Sequence, residues 1–146
     1  MAHHRGSAAI ILNDKDDVLL VKHNYGRYNW ELPGGAAELD ESVIDTAIRE
    51  VHEETGLRVT AIHTTGIYYE PVIDFVHFAF FCRMSGDEEI ANIQLQKEEI
   101  TDCKFWSFDA LPRPISDFTI RRIKDALSGV CFPLPTIIPT RTWFEE

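Results

Sequence analysis

The sequence predicts an α/β fold, a mixed β-sheet with helices on both faces, and three observations carry the prediction. Short runs rich in β-branched and aromatic residues recur between polar breaks. Two segments, 41–55 and 116–127, repeat apolar residues at helical spacing. No linker, internal repeat or low-complexity tract divides the chain, so residues 1–146 read as one domain built from packed layers. Hydrophobic residues at 45% and charged residues at 26% match ordinary globular usage.

Taken in order, residues 7–12 and 18–23 are apolar runs separated by Asn13-Asp14-Lys15-Asp16-Asp17, which predicts a hairpin. Trp30-Glu31-Leu32-Pro33-Gly34-Gly35 predicts irregular chain, because proline and paired glycines break regular elements. Asp40 is the expected N-cap of a helix over 41–55, with Val43, Ile44, Ala47, Ile48 and Val51 on one face and Gly56 as the left-handed stop. Residues 58–69 and 72–84 predict two longer strands, and a polar stretch, 85–98, leads to a further strand around 101–108. Ser116 is the expected cap of a second helix ending at Leu127, with Phe118, Ile120, Ile123, Ala126 and Leu127 as its apolar set and Gly129 beyond it. The tail, 130–146, has three prolines and an apolar run without a readable period, and its packing stays open.

The formal net charge is −10, which argues against a nucleic-acid polymer as partner, since such partners are bound through basic surfaces. Acidity suits divalent cations, through which an anionic substrate can enter a negative site. Cys82, Cys103 and Cys131 are odd in number and widely spaced, so they predict buried free thiols and a reducing, cytoplasmic setting. The early apolar run 8–12 is too short for a signal-peptide core or a membrane span.

The informative cluster is Arg49-Glu50-Val51-His52-Glu53-Glu54. At 3.6 residues per turn Glu50, Glu53 and Glu54 share one side of the helix, beside its apolar stripe. Glu50 faces Glu54, a like-charge pair costing about 0.2–0.5 kcal/mol. A solvated acidic face tolerates that cost, whereas a hard cation such as Mg²⁺ or Mn²⁺ removes it, and helix geometry alone leaves both readings open.

The wider spacing separates them. From Gly35, five residues lead to Glu41 and seven more to Arg49-Glu50; Val51, Glu53-Glu54, Gly56 and Leu57 follow in register. This resembles the Nudix hydrolase signature at every specified position of the 23 residues from Gly35 to Leu57. A chance match is on the order of one in 10⁷. The resemblance implies a Nudix-type α/β/α sandwich and a Mg²⁺-dependent pyrophosphohydrolase (Mn²⁺ as substitute metal). The substrate would be a small nucleoside triphosphate or nucleoside diphosphate derivative.

Carried over residue by residue, the resemblance makes Glu50, Glu53 and Glu54 metal ligands, with Glu41 assisting from the start of the helix. Arg49 would orient a ligand carboxylate, and Gly34 and Gly35 would let backbone approach the phosphates. The general base would be Glu53 or an acid of the later loop, Glu98 or Glu99, with Glu89 a weaker member of that set. Lys22, Tyr25, Arg27, Tyr28 and Trp30 before the box are candidates for phosphate binding or base stacking. Tyr68, Tyr69, Glu70 and Pro71 resemble the family's substrate-discriminating region, where neighbouring tyrosine and proline point to different substrates. His23, His52, His63 and His77 show no metal spacing and read as structural. The alternative function is a catalytically inactive Nudix-fold nucleotide sensor or interaction module, which the full carboxylate set disfavours. A member acting on RNA ends is disfavoured by charge. The resemblance and the apolar tail permit a homodimer.

Overall fold

A computed structural model describes residues 3–85 and 93–145. Among the described residues seven strands form two sheets, the expected mixed sheet and a smaller antiparallel one. The first is four-stranded and mixed, in the order β4 (Gly34–Ala36), β1 (Arg5–Ile11), β6 (Phe75–Met84), β5 (Val59–Glu70), with β1 and β6 parallel. The second is antiparallel, in the order β3 (Trp30–Glu31), β2 (Val18–His23), β7 (Ile100–Trp106). Helix α1 (Val43–Thr55) lies on one face and α2 (Asp117–Leu127) on the other.

The alternation of β1 explains the two-sided architecture. Ala9 and Ile11 pack with Leu19 of β2, with Val43, Ala47 and Val51 of α1, and with Phe80 of β6. Ala8 and Ile10 point the other way, into a cluster with Val18, Leu20, Trp30, Leu32 and Ile123 of α2. Successive strand residues face opposite sides, so a run that is apolar at every position must be covered twice. The same burial breaks the expected hairpin. Both edges of β1 are taken by β4 and β6, and β1 and β2 enter different sheets, joined only by an antiparallel bridge between Leu12 and Val18.

Three local expectations are corrected. The Trp30–Gly35 segment is not wholly irregular: two short strands, β3 and β4, flank Pro33. Ser42, not Asp40, caps α1, its side-chain oxygen accepting from the Asp45 N–H at 3.0 Å. Asp40 sits at φ 65°, where the chain turns into the helix and an extended cap residue has no place. Leu127 is exposed, whereas Thr119 and Arg122 are buried on α2. Gly56 ends α1 at φ 77° and Ser116 caps α2, both as expected.

The strands expected at 58–69 and 72–84 are β5 and β6, an antiparallel pair joined by a 3-10 turn at Pro71–Ile73. The one expected at 101–108 ends earlier, and a second such turn occupies Phe108–Ala110. Of the cysteines only Cys82 is fully buried; Cys103 is partly buried and Cys131 exposed, and all three are free. The tail crosses the outer edge of β5, where Phe132 and Thr64 exchange backbone hydrogen bonds, and Leu134 then reaches the α1 cluster. The tail thus covers part of an edge strand that would otherwise offer unpaired groups. Trp143 and Phe144 are exposed, at 73% and 89%. No helix among the described residues is long and apolar enough to cross a membrane.

Candidate active site

Helix α1 brings its carboxylates against the Gly34-Gly35 backbone of β4. Their burial is graded by position on the helix. Glu53 keeps 49% of its side-chain surface exposed and Glu50 keeps 16%, whereas Glu54 is 4% exposed as a residue. Glu54 Oε1 accepts the Gly34 N–H at 3.3 Å, and its buried Oε2 has no partner among the described residues. Burial, then the charge of Glu50, pushes the Glu54 carboxyl up to about 9. Burial also raises Glu50, against the pull of Arg49. A Cβ on Gly35 would stand 2.8 Å from Glu50 Cδ, so any other residue there would push that carboxylate aside.

Arg49 uses its whole guanidinium on this cluster. Its Nε and Nη2 donate to Glu41 at 2.7 and 3.0 Å, Nη1 donates to Glu50 at 2.9 Å and Glu53 at 3.1 Å, and Nη2 also reaches the Ala36 carbonyl at 3.2 Å. Bonding to Arg49 holds the Glu41 carboxyl down to about 2, while Glu41 is the main influence raising Arg49. Glu41 also accepts from the Glu38 N–H and the Thr46 hydroxyl, which locks the loop before α1 to the helix. Arg49 Nη1 bridges Glu50 and Glu53, and no three carboxylates or imidazoles among the described residues converge as a ready-made metal cage.

An open cleft of about 270 Å³ starts at Gly34 and Gly35 and runs between the first sheet and α2. Its aromatic lining comes from Tyr25, Phe75, Phe78 and Phe118, with His23 and His77 among them. One wall is an ion pair. Glu31 Oε1 accepts from Arg122 Nη2 at 2.7 Å, the Thr119 hydroxyl at 2.8 Å and the Leu32 N–H at 2.8 Å. The Arg122 guanidinium, 6% exposed, lies 4.0 Å over the Phe118 ring, which also keeps it desolvated and in place. A cleft with aromatic walls and fixed polar groups suits a planar, hydrogen-bonding body.

The NUDIX domain family model matches residues 2–127. The chain belongs to the NUDIX domain family. It is therefore similar to other Nudix hydrolases along most of its length. A MutT-like protein of Streptomyces ambofaciens is 32% identical over 126 residues, covering 86% of this chain and 79% of that one. A solved NUDIX hydrolase from Nitrosomonas europaea superposes with a TM-score of 0.75 at 26% identity, covering 91% of this chain and 94% of the other. An ADP-ribose pyrophosphatase from Streptococcus suis superposes with a TM-score of 0.67 at 30% identity, covering 86% and 92%.

Within this Nudix fold the expected site residues separate into groups. Glu41, Glu50 and Glu53 are joined through Arg49, and Glu54 and Glu50 border Gly34 and Gly35, the two of these residues that line the cleft. Glu99 joins them from the loop before β7: its charge raises the proton affinity of Glu50, Glu54 and Tyr25, and its carbonyl accepts the Asn24 N–H at 2.6 Å. Glu98 and Glu99 are both exposed. Glu89 lies outside the described residues.

Trp30 is not available for stacking on a ligand; it is 6% exposed and packs edge-on against Trp106 in the α2 cluster. Its indole faces the core because β3 buries that side of the strand. Lys22, Arg27 and Tyr28 do not line the cleft, and Tyr69 lines a separate shallow pocket beside Pro71, its hydroxyl 2.8 Å from Asp74. Sequence reasoning missed Glu31, Arg122 and Phe118 as cleft residues, with Thr119 bonded to Glu31 behind them, and left His23 and His77 as structural although both line it. The available signal was Arg122, a charged residue lying next to Ile123 on the apolar face of an amphipathic helix.

Proposed function

We propose that this Nudix hydrolase cleaves a phosphoanhydride bond of a small nucleotide, with the base in the aromatic cleft and the diphosphate at Gly34-Gly35. The carrying observation is that Gly34 and Gly35, which border the Glu54 and Glu50 carboxylates, also line a cleft walled by aromatic rings and the Glu31–Arg122 pair. The residues fit a divalent cation: Glu54 is a buried carboxylate with an unpartnered oxygen, and its proton affinity is raised by Glu50. Hard oxygen donors of this kind suit Mg²⁺ or Mn²⁺. Glu50, Glu53 and Glu54 would hold it, and when bound it would supply charge neutralisation on the diphosphate and acidify a water.

The chain's own residues do the rest. Glu41 and the Ala36 carbonyl anchor Arg49, and Arg49 orients Glu50 and Glu53 rather than touching substrate. Glu99, entering from outside the helix, is the proposed general base, which leaves Glu53 to its ligand role. Phe118 and the Glu31–Arg122 pair orient the nucleobase.

The test incubates the protein with nucleoside triphosphates (oxidised ones included), ADP-ribose, nucleotide sugars and dinucleoside polyphosphates, with Mg²⁺ or with EDTA, and separates the products. Mg²⁺-dependent cleavage is expected, and Glu53→Gln should lower turnover by at least about a hundredfold at saturating Mg²⁺. Ligand binding without turnover across the panel would move the reading to a nucleotide sensor.

A further inference from the structure

Strand β5 carries two residues too many for its partner, Ile62 and Thr65. Thr64 lies opposite Phe80 and Gly66 opposite Ala79, so Thr65 opposes nothing and the strand bulges there. Bulges redirect side chains and recur beside functional sites. Thr65 is 1% exposed, and its hydroxyl finds no partner among the described residues. Its neighbour behaves differently: the Thr64 hydroxyl donates to the Pro133 carbonyl at 2.8 Å. A buried hydroxyl without a partner is uncommon in native folds, because it loses water and gains nothing.

Thr65 lines a crevice of about 240 Å³ between the sheet and the chain leaving α2. Its walls are mostly carbon, from Ile10, Leu12, Phe81, Ala126 and Val130, with His63 and Cys131 also lining it. The crevice shares no residue with the substrate cleft, which receives Phe118 and Arg122 from the other end of the same helix. A bound water needs two to four polar partners, and beside Thr65 the side chains offer only the His63 ring and a weakly polar thiol. An apolar cavity of about 150 Å³ already takes a benzene-sized guest, so this one has room for a substituted ring.

We propose that the crevice is a second ligand site, for a small, flat, mostly apolar molecule whose one hydroxyl or carbonyl oxygen hydrogen-bonds Thr65. The site is independent of the hydrolase reading. Apolar walls supply the affinity, and the single polar group fixes orientation.

The experiment titrates 4-methylphenol and toluene into the full ¹⁵N-labelled chain and follows amide shifts. Shifts are expected at His63, Thr65, Ala126 and Val130, with 4-methylphenol bound about five- to tenfold tighter than toluene, the worth of one hydrogen bond. Thr65→Val keeps the side-chain shape and removes an unpartnered hydroxyl, so it should fold at least as well while losing that preference. Ala126→Phe fills the crevice and should block both probes. Absence of shifts at these residues, shifts confined to the substrate cleft, or equal affinity of 4-methylphenol for wild type and Thr65→Val would each overturn the proposal.

Discussion

Replacing Glu54 with glutamine tests whether burial of this carboxylate is a burden that a cation relieves. In the folded chain its carboxyl is pushed up to about 9, against an ordinary 4.5. The sign follows from proton counting. Between those two values the folded chain holds a proton on Glu54 that the unfolded chain has released, so stability is fullest below the ordinary value and declines as pH rises towards 9. Each pH unit in that window costs about 1.4 kcal/mol, and near neutrality, about two and a half units above the ordinary value, the sum reaches on the order of 3 kcal/mol as an upper bound. Glutamine imitates the protonated form, keeps an acceptor for the Gly34 N–H, and removes the titration.

The assay is thermal unfolding from pH 5 to 9 in EDTA, repeated with Mg²⁺. At about 2–4 °C per kcal/mol for a chain of this size, Glu54→Gln should flatten the wild-type decline in Tm by about 3 °C per pH unit. Mg²⁺ should raise the Tm of wild type at alkaline pH and leave Glu54→Gln nearly unmoved, because only the carboxylate gains from a cation. Superposable pH profiles in EDTA, or equal Mg²⁺ shifts, would refute the reasoning.

Gly35→Ala should fold but lose activity, since its Cβ meets the Glu50 carboxylate at 2.8 Å, while Gly34→Ala runs into the Ser7 carbonyl and should lower the Tm as well; paired thermal and activity measurements distinguish them. Arg122→Ala leaves Glu31 without its ion partner in a half-buried wall and should cost about 3 kcal/mol in urea unfolding. Arg122→Met combined with Glu31→Gln should lose much less, because no unpaired charge remains. Glu99→Gln should lower kcat by about a hundredfold or more and Glu98→Gln should leave it unchanged; equal effects would remove Glu99 from the base role.

Some of this was legible in the chain and some was not, for physical reasons that differ by residue. Local rules placed α1 and α2 because capping, 3.6-residue periodicity and a left-handed stop at Gly56 act within a few residues of one another. The clustering of Glu50, Glu53 and Glu54 followed from the same periodicity. The cap itself moved from Asp40 to Ser42, since both are good cap residues and only the approach of the loop, with Glu41 drawn onto Arg49, decides between them. The hairpin expected at 7–23 failed because turn chemistry is local, whereas the choice of edge for β1 depends on a parallel strand some seventy residues away.

By itself, then, the sequence determined the layered fold class, the carboxylate helix and the family, all of which rest on short-range spacing. Tertiary structure alone decided that Trp30 belongs to the core, that the loop carrying Glu99 is tied by its backbone to Asn24, and that Glu31 meets Arg122 across 91 residues. Those contacts join segments whose separation along the chain leaves no periodic trace, so only the packing of α2 against the sheets brings them onto one cleft.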